Sequence, residues 1–357
     1  MISFARGAPA LECLDAELLA DCARSAIEGD PSVLAYGSGG GYGPLREWLG
    51  SRHGVEPGRV ILTNGGLQGF VFYAEELLAE RPGRVLVEAP TYDRPLKILA
   101  RLGAEAVPVA MDEEGLDPDA LAEALDAGET SFVYTIPTFQ NPSGRTLSTA
   151  RRERVVELAA ERGVPVLEDD PYGLVRYEGV APPSLHELEG GALVTYASSF
   201  SKTAAPGVRV GWFVAPADLA ARLEARAVST YISPPFLTQA TVHELVARGA
   251  FEPNLERIRG LLRLRRDAMR DALERELSGV VAWSEPEGGY FLWVDLPADS
   301  AELLTRAEQA GVTFVKGSDF YPAGGGGGER SARLAFSFAS PSEIDEGVST
   351  LARLIRV

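Results

Sequence analysis

A chain of 357 residues, 45% hydrophobic and 24% charged, is long enough for two domains and has the balance of a soluble globular enzyme. Its net charge of −17 argues against non-specific nucleic-acid binding, which draws on clustered basic charge. The start, MISFARGAPALECLDAEL, has no basic segment followed by an apolar run, and no stretch approaches about 20 uninterrupted apolar residues, so neither a secretory leader nor a membrane span is expected.

In chain order, an extended start (ISFARGAP) leads to an amphipathic helix expected from about Asp15 to Glu28. Cys13 and Cys22 are the only cysteines, and they read as reduced, helix-borne thiols of a cytoplasmic protein. His53, His186 and His243 stand far apart without metal-ligand spacing, so no metal site is expected. The glycine-rich YGSGGGYGPLREWL follows, with Pro44 at a first helical position and Leu45, Trp48 and Leu49 on one apolar face. Gly37 and Gly39 match the first two positions of a dinucleotide fingerprint, but Tyr42 stands at the third, and the motif fails.

From Arg59 onward strands and helices alternate. RVILTN, RVLVEAP, AEAVPVA, SFVYTIP and VPVLEDD read as strands, separated by helices expected over Gly65–Leu78, Tyr92–Leu102, Pro118–Leu125 and Ala150–Arg162. ALVTYAS and VGWFVA add two more strands, and helical patterns cover 217–228, 235–248 and 252–277. The rhythm predicts an α/β fold with a mostly parallel, seven-stranded-type sheet sandwiched by helices. After about Val280 it changes: GGYFLWVDLP, GVTFVKG and RLAFSFA read as strands, with helices near 300–310 and from Pro341 to Ile355. The expected division is an N-terminal segment (1–30) packing with the small domain, a large domain (31–278), and a small α+β domain (279–357). The five glycines at 324–328 read as a loop.

Tyr196 to Gly211 reads YASSFSKTAAPGVRVG, with Lys202 in its middle. Only three of the 34 cationic side chains are lysines: Lys97, Lys202 and Lys316. A lysine amine can lose its proton and attack a carbonyl; a guanidinium cannot. Ser199 and Ser201 precede Lys202, and Arg209 follows it. By itself this window fits two readings: a surface lysine in a Ser-rich loop, or a Schiff-base lysine beside the phosphate of pyridoxal phosphate.

Ligands of open parallel sheets bind at the carboxyl ends of the strands. After RVILT come Asn64, Gly65 and Gly66, opening a helix whose free amides suit a phosphate. Asn141 follows SFVYTIP, Asp169, Asp170 and Tyr172 follow VPVLE, and Ser199, Ser201 and Lys202 follow ALVTYA. Each alone has an ordinary reading as a turn or capping residue. Their gathering at one sheet edge favours a cofactor site.

Seven motifs carry a family resemblance: Y-x(5)-Y-G-P-L-R at Tyr36 to Arg46, E-A-P-T-Y at Glu88 to Tyr92, Q-N-P-S-G at Gln140 to Gly144, E-D-D-P-Y at Glu168 to Tyr172, S-F-S-K at Ser199 to Lys202 with Arg209, GGYFLW at Gly288 to Trp293, and R-L-x-F-S at Arg333 to Ser337. With them, over essentially its whole length, the chain resembles the fold-type I pyridoxal-phosphate-dependent aminotransferases of class I/II. The nearest branch holds 2-aminoadipate and kynurenine aminotransferases, and also lent a family of transcription regulators its effector domain.

The resemblance implies roles. Lys202 would form the Schiff base and then move the proton at the substrate Cα. Asp169 would pair with the pyridinium nitrogen and keep the ring an electron sink. Tyr172 and Asn141 would bond the phenolic oxygen, and Tyr92 would stack on the ring. Gly65, Gly66, Leu67, Ser199, Ser201 and Arg209 would line the phosphate site. Tyr36 would reach the phosphate of a neighbouring subunit, which implies a homodimer with shared sites. Arg333 would clamp the substrate carboxylate, helped by Asn141, with Gly7 over the substrate. The ordinary rivals are a helix cap for Tyr92 and local ion pairs for Arg209 and Arg333. Three departures stand out: Gly66-Leu67 where relatives show Ser-Gln, Arg6-Gly7 where they often show Gly-Gly, and Lys316 where Pro is common. The first removes a hydroxyl from the phosphate site; Arg6 would read a distal acid or point to solvent.

The implied function is transfer of an amino group from an α-amino acid to a 2-oxo acid, 2-oxoglutarate first among them, by a ping-pong cycle. The alternatives are a decarboxylase or β-lyase on the same scaffold, or a regulator's effector domain. Regulators of that kind carry an N-terminal winged-helix domain, for which a chain opening at ISFARGAP leaves no room.

Overall fold

The computed structural model describes residues 1–356. Its centre is an eight-stranded sheet in the spatial order 60–63, 211–214, 194–199, 166–169, 130–135, 84–89, 106–112 and 115–116. The five strands from 194–199 to 106–112 run parallel. Gly211–Val214 runs antiparallel to both its neighbours, and Gly115–Leu116 forms an antiparallel edge too short to be legible in the sequence. Thr130–Thr135 and Val194–Ser199 are buried along their whole length. That is why they read as continuous runs: helices cover both faces of the sheet.

Helix starts follow local chemistry. Asp15 accepts from Leu18 N at 3.0 Å and caps Ala16–Gly29. Ser148 caps Thr149–Arg162, and Ser340 with Glu343 forms a capping box for Pro341–Ile355. Among the described residues three helix ends use glycine in the left-handed region, Gly54 at φ 65°, Gly163 at φ 59° and Gly190 at φ 83°.

A second sheet of four antiparallel strands joins 282–283, 291–295, 331–335 and 315–316. The stretch GVTFVKG is expected as one strand and is two. Val312–Thr313 pairs in parallel with Ile2–Ser3, whereas Val315–Lys316 pairs with 331–335. Phe314, buried in the small core, lies between them, where the chain changes strand partner. The N-terminal segment divides its contacts. Its first residues join the small unit, while the helix Ala16–Gly29 lies against Phe236–Ala247 of the large one.

The helix Phe251–Leu277 has 27 residues. Its first half (Phe251, Leu255, Ile258, Leu262) packs into the core around Trp212 and Phe200. Its second half (Met269, Leu273, Leu277) packs under the small sheet. The handover between cores therefore occurs within this helix, between Leu262 and Met269, well before the change of rhythm in the sequence.

Candidate active site

Strand register brings the expected groups level. Thr63 and Ser199 both pair with Gly211, Asp169 pairs with Ala197, and Thr135 with Glu168. The strands at 60–63, 130–135, 166–169 and 194–199 therefore release their chains along one edge. There they enclose a cavity of about 410 Å³, the size of a small-molecule site. Gly66, Leu67 and Tyr92 line it, as do Asn141, Asp169 and Tyr172, then Ser199, Ser201, Lys202 and Arg209, and finally Gly7 and Arg333. A larger groove of about 640 Å³ runs past Arg145, Trp283 and Trp293, and carries none of these groups. Chemistry, not volume, selects the site.

Lys202 Nζ donates to Gly7 O at 2.9 Å and faces the rings of Tyr290 and Tyr172 at 4.9 and 5.6 Å. Burial lowers its pKa to about 8, and the charges of Arg333 and Arg209 add to the effect against the pull of Asp169. At pH 7 about a tenth of such amines are neutral and nucleophilic.

Asp169 is half-buried and lies on the cavity wall. Burial pushes its carboxyl up to about 7, opposed by the Tyr134 hydroxyl, which donates to Oδ2 at 2.7 Å. A cationic partner in the cavity would hold it ionised. Arg333 is 7% exposed. Its Nη1 donates to Asn141 Oδ1 at 2.9 Å and its Nη2 to Ala5 O at 2.7 Å, while buried Nε has no partner among the described residues. Burial lowers this guanidinium to about 10, still charged at neutral pH. Asn141 accepts from Arg333, which leaves its Nδ2 free to donate. The loop that carries it hangs on a buried carboxylate. Gln140 Nε2 donates to Glu88 at 3.0 Å and to Pro90 O at 2.8 Å, and Ile136 N and Thr135 Oγ1 donate to the same Glu88. Glu88 and Gln140 thus set Asn141 in place without lining the cavity.

The anion cradle lies at the other end. Gly65 takes φ 84° before Gly66 opens the helix Gly66–Glu80. A Cβ on Gly65 would stand 2.2 Å from Arg209 Nη2, whereas at Gly66 there is open space. Arg209 itself holds φ 52°, and its Nη2 donates to Asn64 O at 3.1 Å. Ser199 Oγ donates to Ser201 Oγ at 2.8 Å. Two hydroxyls, a guanidinium and a helix N-terminus converge, a set suited to a phosphate. Leu67 brings no donor to it. Tyr172 is buried, edge-on to Phe291 at 5.6 Å, and burial raises its phenol. Tyr92 is half-buried at the start of the helix Asp93–Arg101 and makes no side-chain cap there.

Three expected residues lie elsewhere. Tyr36 is 81% exposed and outside the cavity. Arg6 is exposed and stacks on Phe338, 4.2 Å from the ring centroid. Lys316 is tied to Ser318 and Asp319. In turn, sequence reasoning missed Tyr134, Phe70, Phe291, Asp93 and Arg94. Tyr134 left one signal: a phenol inside a strand expected to be buried on both faces must find a partner.

The cavity suits pyridoxal phosphate: an anion cradle at one end, a half-buried carboxyl for a ring nitrogen, a low-pKa amine, and an orphaned guanidinium edge for a carboxylate. Comparison with known proteins agrees. Residues 1–351 match the family model for aminotransferase class I and II. The chain is similar to the 2-aminoadipate transaminase of Thermus thermophilus, 37% identical over 362 residues, covering 100% of this chain and 90% of that protein. It is 33% identical to aromatic-amino-acid aminotransferase 1 of Thermococcus litoralis, over 100% of this chain and 88% of the other. The crystal structure of LysN, an alpha-aminoadipate aminotransferase from Thermus thermophilus complexed with N-(5'-phosphopyridoxyl)-L-leucine, superposes with a TM-score of 0.94 at 35% identity, covering 100% of this chain and 92% of that one. Full-length likeness to enzymes named for moving amino groups, with the fold shared throughout, shows that the chain belongs to the aminotransferase class I and II family and is a pyridoxal-phosphate-dependent transaminase.

Proposed function

We propose that the enzyme takes the amino group of an α-amino acid and delivers it to a 2-oxo acid, with 2-oxoglutarate as acceptor, in a ping-pong cycle. The observation that carries this reading is Lys202: an amine lowered to about 8, facing a cavity that also holds Asp169 and Arg333. When bound, pyridoxal phosphate supplies an aldehyde that captures amines and a ring that accepts electron density from Cα. Lys202 would hold the aldehyde carbon until an amino acid replaces it, and its freed Nζ would then take and return the Cα proton. Asp169, steadied by Tyr134, would face the ring nitrogen. Asn141 and Tyr172 would bond the phenolic oxygen, and Tyr92 would cover the ring. Gly65, Gly66, Ser199, Ser201 and Arg209 would hold the phosphate, with Leu67 beside it. Arg333 would hold the substrate carboxylate in its fork, favouring retention of that group over its loss. The segment 5–8, whose carbonyls at Ala5 and Gly7 accept from Arg333 and Lys202, would shield the reacting atoms from water.

The same proposal includes a cytoplasmic homodimer. Leu34, Tyr36, Val228 and Ile232 are 62, 81, 51 and 51% exposed. Gly37 N donates to Ser233 Oγ at 3.2 Å, which ties the two stretches into one apolar surface. A second copy would cover it and bring Tyr36 to the neighbour's phosphate. No described helix is long and apolar enough to cross a membrane. We also read 1–30, 31–278 and 279–357 as the N-terminal segment, large cofactor-binding domain and small domain, supported by the pairing of Ile2–Ser3 with Val312–Thr313.

The test is borohydride reduction of the holoenzyme with peptide mapping. Pyridoxyl mass is expected on Lys202; its appearance on Lys97 or Lys316, or nowhere, overturns the reading. A screen of amino donors should form glutamate from 2-oxoglutarate. A lyase or decarboxylase would release product without it.

A further inference from the structure

Four cationic side chains line the cavity, and three are committed. Lys202 donates to Gly7 O, Arg333 to Asn141 and Ala5, and Arg209 to Asn64 and Pro206. The fourth is Arg94. Its side chain is 58% exposed and makes no hydrogen bond among the described residues. Its one ionic contact is Asp93 at 3.8 Å, and that carboxylate already accepts from Lys97 at 2.5 Å. Among the described residues, Asp93 and Asp169 are the only acids on the wall. With Asp93 shared with Lys97 and Asp169 facing the ring-nitrogen end, Arg94 adds a weakly compensated positive charge to the wall.

Its position carries a second signal. Arg94 lies in the first turn of the helix Asp93–Arg101, where the exposed amides disfavour a cation. A cation on the unfavourable end of a helix, with no hydrogen bond and only the 3.8 Å contact to Asp93, contributes little to the fold. Much of the remaining wall is apolar, including Ala5, Ala8, Leu67, Phe70 and Pro95. A substrate's distal carboxylate entering this space would find one unengaged guanidinium.

We propose that Arg94 reads the distal carboxylate of dicarboxylic substrates, the 2-oxo diacid and its amino diacid. The apolar wall takes the side chains of aliphatic and aromatic donors, while Arg94 remains in solvent. One site thereby accepts an apolar donor and an acidic acceptor without rebuilding its core. The guanidinium fork suits a carboxylate in a way that a lysine would not reproduce. The inference rests on this cavity being the transaminase site.

The experiment compares the holoenzyme with Arg94→Gln and Arg94→Lys, using 2-oxoglutarate and the monocarboxylic 2-oxohexanoate as acceptors for one donor. For Arg94→Gln the ratio of kcat/KM values, diacid over monoacid, should fall about tenfold, mostly through KM, the lower end of a charge-assisted bond because Arg94 is partly exposed. Arg94→Lys should recover part of the ratio. Inhibition by glutarate should weaken in the same order. A ratio within twofold of the parent overturns the role of Arg94 and leaves the site assignment intact. A parent protein that transfers an amino group to neither acceptor overturns both.

Discussion

Gly65→Ala probes the phosphate cradle by adding one carbon. Gly65 sits at φ 84° and ψ 158°, a region that is essentially closed to residues with a side chain and costs about 1–3 kcal/mol to enforce. The new Cβ would also stand 2.2 Å from Arg209 Nη2 and 2.8 Å from its Cζ. The guanidinium must withdraw, giving up its bond to Asn64 O. The withdrawn group no longer reaches the phosphate, and the loss of one charge-assisted bond is worth roughly 1.5–3 kcal/mol. Because about 1.4 kcal/mol is a factor of ten, the dissociation constant for pyridoxal phosphate should rise about 10- to 100-fold. The strain leaves a folded protein, since domains carry about 5–15 kcal/mol of stability. The assay titrates apoprotein with pyridoxal phosphate by absorbance, alongside pyridoxal, which lacks the phosphate. Pyridoxal affinity should change little. An unaltered phosphate-ester affinity refutes the reasoning, and an equal loss for both ligands shows a collapsed site instead.

Tyr134→Phe removes the donor to Asp169 Oδ2. The carboxyl pKa should rise beyond about 7. Cofactor affinity at pH 7 should drop about tenfold, with the loss shrinking at higher pH as Asp169 ionises; an unchanged pH dependence would count against the role of Tyr134. For Lys202, depressed from 10.5 to about 8, the neutral amine captures the aldehyde. Apoprotein should therefore react with pyridoxal phosphate faster as pH rises, levelling off above about 8, as a stopped-flow pH series would show. The same shift means that charging Lys202 opposes folding. That penalty is absent above the unfolded pKa of 10.5, grows as pH falls, and is complete below about 8. Lys202→Met should thus stabilise the cofactor-free protein at pH 7 by up to about 3 kcal/mol, with the gain fading toward pH 10.5 in urea melts.

Much of the fold was legible because the central parallel strands are buried on both faces and read as apolar-rich runs punctuated by amphipathic helices. The small unit was less legible. Nothing in GVTFVKG marks the break at Phe314, which falls where the chain changes partner from Ile2–Ser3 to the strand 331–335. The hinge between cores was hidden for a related reason: a continuous helix shows one periodicity, whichever core its face meets.

The site divides the same way. By itself the sequence determined which chemistry was present: one lysine among many arginines, two hydroxyls before it, a glycine turn opening a helix, and an acid and an amide at strand ends. Those are local facts, set by residue type and spacing. The tertiary structure alone decided which groups meet. Strand register set Ser199 and Thr63 on one row with Gly211, burial moved Lys202 and Asp169 to pKa values near neutrality, and the chain's return put Arg333 against Asn141. It also brought Tyr134 to Asp169 and left Arg94 on the cavity wall with no hydrogen bond among the described residues. Desolvation and long-range pairing depend on what surrounds a residue in space, and a linear order of residues carries no record of that.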